Sequence, residues 1–428
     1  MSEAATRGAI EAVWRIESAR LLGGLVRVVR DVGLAEDLAQ EALITALERW
    51  PETGIPENPG AWLMATAKNR AIDQLRRKQM LERTHEEIAT DAVVRPPSRP
   101  DLETAIDENV GDDLLRLVLV ACHPVLSTEA RVALTLRLLG GLTTEEIARA
   151  FLLPEATIAQ RIVRAKRTLA EAKVPFDVPR GEDLSARLPS VLEVVYLIFN
   201  EGYSATRGED LIRHALCDDA LRLGRILAEL VPGEAEVHGL IALLEVQASR
   251  LRARVGPGGE AIRLFDQDRS RWDRLLIKRG LTALDRAEAL ARPLGPYTLQ
   301  AAIAACHARA RTSEETDWKQ IVALYDALVE VTRSPVVELN RAVAVSMAFG
   351  PAQGLELVEQ LREEPALRSY HLLPSVRGDL LERLGRTNEA RAEFERAASL
   401  AQNVRERELL LGRARACGGK PDLSGPRA

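Results

Sequence analysis

Apolar residues recur at Ile158, Ile162, Ala165 and Leu169, the i, i+4, i+7 spacing of one packed helical face. A shorter helix is predicted just before it, over Thr144 to Phe151, with Ile147 and Phe151 as its core face and Thr143 or Thr144 as its cap. Between the two lies the turn "LLPEAT", where Pro154 stands at the start of the second helix. Near the amino end, "DVGLAEDLAQEALITALERW" from Asp31 to Trp50 carries a second amphipathic pattern. Leu38, Ala42 and Ala46 pack, Leu34 leads in, and Leu43 and Leu47 flank. Its outer face holds Glu36, Asp37, Gln40 and Glu41. Three stretches break the pattern: Thr90 to Glu103 with Pro96, Pro97 and Pro100, Val174 to Pro189, and the loop Arg254 to Ala261. Beyond Pro189 the chain reads as successive helices punctuated by Gly and Pro.

Composition supports an all-α fold. Alanine, leucine, arginine and glutamate dominate the 428 residues and aromatics make up 4%, so strong helix formers fill most positions. Hydrophobic content of 46% with 28% charged residues is ordinary for a globular chain of two or three domains. Four well-separated cysteines with no CxxC pair give no metal cluster or disulfide framework, which points to a reducing cytoplasm. No leader pattern and no apolar run of about 20 residues is seen, so no membrane partner is expected.

The net charge of −5 argues against strong nucleic-acid affinity for the chain as a whole. The charge is uneven, however. From Glu36 to Glu57 there are six acidic residues and one basic, Arg49. After Pro59 the sign reverses, with Lys68, Arg70, Arg76, Arg77, Lys78 and Arg83 against Asp73 and Glu82. The acidic helix suits a basic protein partner and the basic helix suits phosphates. Trp50 and Trp62 flank the change of sign; stacking on unpaired bases is one use for them and core packing the preferred one. On the helix of Ile158, residues Gln160, Arg164 and Arg167 point away from the packed side, with Thr157 and Arg161 on the flank and Lys166 adding charge. An amide and several guanidiniums projecting together suit base edges and phosphates in a major groove. Taken alone, these residues fit a plain helical hairpin with a solvated basic face equally well.

In combination, "AEDLAQEALITAL", "AWLMATAKNRAIDQLRR", a linker and the helix-turn-helix resemble the extracytoplasmic-function class of RNA polymerase sigma factors over about residues 8 to 174. With "DDLLRLVLVACHPVLS", "LPSVLEVVYLIFNEGYSAT" and a C-terminal helical extension, the chain resembles a subgroup of that class, departing from it at Ala121, where a second cysteine is common. The resemblance implies two small helical sigma domains, region 2-like over 8–89 and region 4-like over 110–174. They are joined by a linker over 90–109 and followed by an extension over 175–428. It implies that Glu36, Asp37, Gln40 and Glu41 dock on the clamp of core RNA polymerase, with the flap as a further contact. Trp50 to Ala61 would form the loop that captures a flipped minus-ten base of promoter DNA. Trp50, Trp62, Lys68, Asn69, Arg70, Asp73, Arg76, Arg77 and Lys78 would serve that element, and Thr157, Gln160, Arg161, Arg164, Lys166 and Arg167 would read the minus-thirty-five element.

The extension carries a weak repeat. Gly350 and Gly385 lie 35 residues apart, near the tetratricopeptide period of about 34, and Ala390 and Phe394 follow the second. Generic helical hairpins are the plainer reading. Asp266, Asp268, Arg269, Trp272, Asp273 and Arg274 form either a contact surface or, as favoured here, a salt-bridge network. An unknown protein, or the sigma-like domains themselves, would be the partner of the extension. Six histidines include the pairs Cys122-His123 and Cys306-His307, yet no HExxH, phosphate loop or GxSxG occurs, so neither an enzyme nor a bound cofactor is expected. A tetratricopeptide-type adaptor, or a DNA-binding regulator that is not a polymerase subunit, is the alternative.

Overall fold

A computed structural model describes residues 3–86 and 110–418, apart from positions 152, 177, 180, 207, 291 and 292. The linker expected over 90–109 lies outside the described residues. Regular structure among them is helical, with isolated bridges such as Val255 to Ala261. None of the described helices is long and apolar enough to cross a membrane. The chain divides into two compact units, residues 1–197 and 198–428.

The first unit opens with α1 (Glu3–Val29), α2 (Val32–Thr53) and α3 (Pro59–Glu86). Asp31 accepts a hydrogen bond from the Leu34 amide at 2.9 Å and so starts α2. Leu38, Ala42 and Ala46 are buried as their spacing required, joined by Ala35 and Ala39. Gly54, at φ 82°, ends α2, and its amide returns to the Trp50 carbonyl. The loop expected from Trp50 to Ala61 is therefore shorter, since only 54–58 lies between the two helices. There follow α4 (Val110–Ala121), α5 (Thr128–Leu138), α6 (Thr144–Phe151) and α7 (Glu155–Glu171). The break expected to reach Pro189 ends sooner, because α8 (Glu182–Tyr203) runs through that proline. A proline removes one backbone donor, but Leu188, Val191, Leu192, Val194 and Val195 are all buried and that apolar face outweighs the loss. The first half of α8 is tied to the α4–α5 turn. Ser190 donates to the Cys122 carbonyl at 2.6 Å, and Arg131 meets both Ser190 and Glu193.

The second unit takes the end of α8 and continues with α9 (His214–Leu230), α10 (Ala235–Ala248), α11 (Arg274–Leu290) and α12 (Pro296–Arg309). It closes with α13 (Trp318–Thr332), α14 (Pro335–Phe349), α15 (Pro351–Gln360), α16 (Leu372–Arg383), α17 (Thr387–Leu400) and α18 (Val404–Gly418). Buried apolar residues surround α10, which packs on both α11 and α12. At Gly239 a Cβ would stand 2.3 Å from Thr298 Oγ1, so only glycine permits that crossing. Its one buried carboxylate, Glu245, is met by Arg225 at 2.9 Å and Arg279 at 3.3 Å. From α13 onward, consecutive helices pack as pairs, and Phe394 fills the core of the last ones.

Candidate nucleic-acid interface

A reciprocal cap starts the helix-turn-helix. Thr143 Oγ1 accepts from the Glu146 amide at 3.1 Å while Glu146 accepts from the Thr143 amide at 2.8 Å. Ile147, Ile158, Ile162, Ala165 and Leu169 are buried, which fixes the roll of α7. That roll leaves Thr157, Gln160, Arg164 and Arg167 exposed and Arg161 half-buried. Arg167 rests against Glu171 at 2.6 Å, a fully exposed pair of the kind a phosphate readily displaces. Val163, 64% exposed on the same face, went unnoticed in a reading based on charge. Its signal was an apolar residue off the packed stripe.

Lys166 stands on another side of α7. Its Nζ pairs with Glu36 of α2, whose carboxylate also accepts from Arg137 Nε at 2.6 Å and Gln40 Nε2 at 2.8 Å. Glu36 is 5% exposed. The sequence placed it on an outer face, and this is corrected by Arg137 and Lys166, distant in the chain, which cover it. Burial pushes its carboxyl up, but Lys166 and then Arg137 outweigh burial and hold it below the usual carboxylate range. The neighbouring Asp37 and Glu41 are exposed and Gln40 is half-buried. A second tie joins α1 to α4, where Arg27 and Arg116 flank the buried Asp113, Arg27 at 3.1 Å. Beside it a Cβ on Gly23 would lie 2.8 Å from the Asp113 carbonyl oxygen. Arg27, Asp113 and Arg137 were missed by sequence reasoning, since no periodicity marks a pairing between distant segments.

On α3, Arg70 bridges to α2 through Glu41 at 2.6 Å and Thr45 at 2.8 Å. Asn69, Asp73 and Arg76 are exposed and Lys68 is half-buried. The side chains of Arg77 and Lys78 lie outside the described residues. Trp50 is 1% exposed and meets Trp62 edge-on at 5.3 Å, so it belongs to the core, as the preferred reading had it.

In the second unit the six residues singled out do not pair carboxylate to guanidinium with one another. Asp266 pairs with Arg263 at 2.7 Å, Asp268 accepts from the Ser270 amide, and Asp273 caps α11. Arg269 donates to the His307 and Ala310 carbonyls at 2.7 and 2.8 Å and sits over Trp272. Arg274 is exposed. His307 is pushed down to about 4 by burial, with Arg250 and Arg269 adding to it, and stands neutral. All four cysteines are buried, and burial pushes the Cys122 thiol up to about 11 against a hydrogen bond from Thr135.

Residues 16–80 match Sigma-70 region 2 and residues 116–169 match Sigma-70, region 4. Over 167 residues the chain is 30% identical to the RNA polymerase sigma-H factor of Pseudomonas aeruginosa, covering 37% of this chain and 82% of that one. It is also 30% identical over 151 residues to the ECF RNA polymerase sigma factor SigK of Mycobacterium bovis, covering 35% and 78%. The chain belongs to the extracytoplasmic-function sigma factor family. This sigma factor carries, in addition, a match over 187–288 to a family of unknown function, DUF6596. An uncharacterized protein of Rhizobium meliloti is 46% identical over 387 residues, covering 90% of both chains. No solved structure matches.

Proposed function

We propose that this sigma factor binds core RNA polymerase in the cytoplasm and directs promoter recognition, DNA melting and initiation. The observation that carries the reading is the face of α7, where Gln160, Val163, Arg164 and Arg167 stand exposed above a fully packed stripe. Arginine and glutamine reach guanine and adenine edges, and a valine suits the thymine methyl group. Glu41 and Asp37 of α2 are the exposed groups for the polymerase clamp, with Gln40 at their edge. Lys68, Asn69, Arg70 and Arg76 of α3 would hold the opened strand. In this reading 8–89 serves polymerase and the minus-ten element, 90–109 links, and 110–174 reads the minus-thirty-five element and meets the flap. The extension over 175–428 regulates access, through its own partner or through the sigma domains.

Run-off transcription with core polymerase on promoter fragments tests this. Discrete transcripts from the full chain that disappear when Arg161, Arg164 and Arg167 are all changed to alanine are the expected result. Transcripts that persist in that variant, or failure of the full chain to bind core polymerase, would overturn the reading.

A further inference from the structure

A cavity of about 440 Å³ lies within the first unit, between the α1–α2 turn and the carboxyl end of α7. Arg30, Lys166 and Lys173 line it, and among the described residues Asp31 is the one acidic group in its wall. That carboxylate is already committed to the cap of α2. Lys166 is held by Glu36, and its stem approaches the position a Cβ on Gly33 would take. Among the described residues, the side chains of Arg30 and Lys173 meet no hydrogen-bonding or ion-pair partner, though their backbone amides close the ends of the preceding helices. Both side chains are exposed, so an anion entering the cavity would meet two cations not already engaged, beside a lysine paired with Glu36.

The backbone adds a second observation. Arg30 and Lys173 are left-handed, at φ 52° and 47°, in the positions that follow α1 and α7. Glycine is usual there, and a side chain costs about 1 kcal/mol. Arg333 shows the same conformation after α13, so the conformation alone marks only helix ends. What sets Arg30 and Lys173 apart is that both line one cavity together with Lys166. The remaining wall is apolar, with Val32, Leu169 and Val174 buried and Phe176 half-buried.

We propose that this cavity binds a small molecule that joins a phosphate group to an apolar or aromatic body. At about 100° per residue, Lys166 and Leu169 fall on the side of α7 away from Gln160, Arg164 and Arg167, and Lys173 follows the end of the helix. DNA lying on the reading face therefore leaves the cavity empty. Its volume lies within the usual range for organic ligands, about 300–1,000 Å³, and exceeds the needs of bare phosphate. Because the walls come from both α1–α2 and α7, an occupant favours the arrangement that holds them together.

The test is calorimetric titration of the full-length protein and needs no polymerase, so its outcome is separate from the transcription reading. The ligands are phenyl phosphate, adenosine monophosphate, inorganic phosphate, adenosine and a short duplex DNA of arbitrary sequence. Saturable one-to-one binding of the two organic phosphates is expected, weaker binding of inorganic phosphate, and none of adenosine. Arg30→Gln and Lys173→Gln should each weaken that binding by about tenfold, while Arg333→Gln leaves it unchanged. Circular dichroism of each variant checks that the fold is kept. Absence of saturation up to about 10 mM organic phosphate, or equal affinity in both cavity variants, would overturn the proposal. So would displacement of the organic phosphate by duplex DNA, since the cations would then serve a nucleic acid.

Discussion

Glu36 is one carboxylate held by two cations from other helices, and its protonation state matters to all three. Removing one member of such a buried group leaves the others desolvated without compensation, at about 3 kcal/mol. Glu36→Gln is expected to lower stability by about that amount at pH 7, measured by urea unfolding followed by circular dichroism. The pH dependence has a definite sign. The folded carboxyl lies below its ordinary range, so its contribution is complete above about pH 4.3. It is lost as pH falls through the folded value. Variant and parent should therefore converge in acid. Equal stability of the two at pH 7 would remove Glu36 from any role in holding α2 to α5 and α7.

At the scale of elements, the short helix α6 depends on its start. The reciprocal bonds between Thr143 and Glu146 satisfy donors that a helix leaves open at its amino end. Thr143→Ala is expected to cost about 1 kcal/mol, seen as a lower unfolding midpoint with the exposed face of α7 intact. An unchanged midpoint would show that packing alone sets this helix. What was legible beforehand follows the same division. The spacing of Ile158, Ile162, Ala165 and Leu169, and of Leu38, Ala42 and Ala46, is a property of one helix and appears in its own residues. The burial of Glu36 is not, since it depends on Arg137 and Lys166, about a hundred residues away or more. The continuation of α8 through Pro189 was hidden too, because the apolar face that outweighs the proline becomes visible only once packed. Trp50 could be read either as a stacking surface or as core, and only its neighbour Trp62 decides.

In the first unit as a whole, the segment matching region 2 is docked through two ties, one on the segment matching region 4 and one on the start of α4 just before it. One is Glu36 with Arg137 and Lys166, the other Asp113 with Arg27 beside Gly23. Under the proposed function, the helix meant for polymerase and the helix meant for DNA are thus held by one another, and opening them uncovers Glu36, the one clamp-facing carboxylate that docking buries. Electrostatics supplies the attraction and a bare glycine supplies the fit. At Gly23 a single added methyl group would collide with backbone that cannot swing aside. Glycine and alanine codons differ by one base, so the docked state is one base change away from loss. In a reporter strain driven by this protein, selection for raised expression is expected to return substitutions at Gly23 and Glu36 repeatedly, and sequencing the winners reads out the result. A harvest confined to the promoter would mean that docking does not limit activity. Otherwise the shortest heritable route to a permanently active regulator runs through a position that has no side chain.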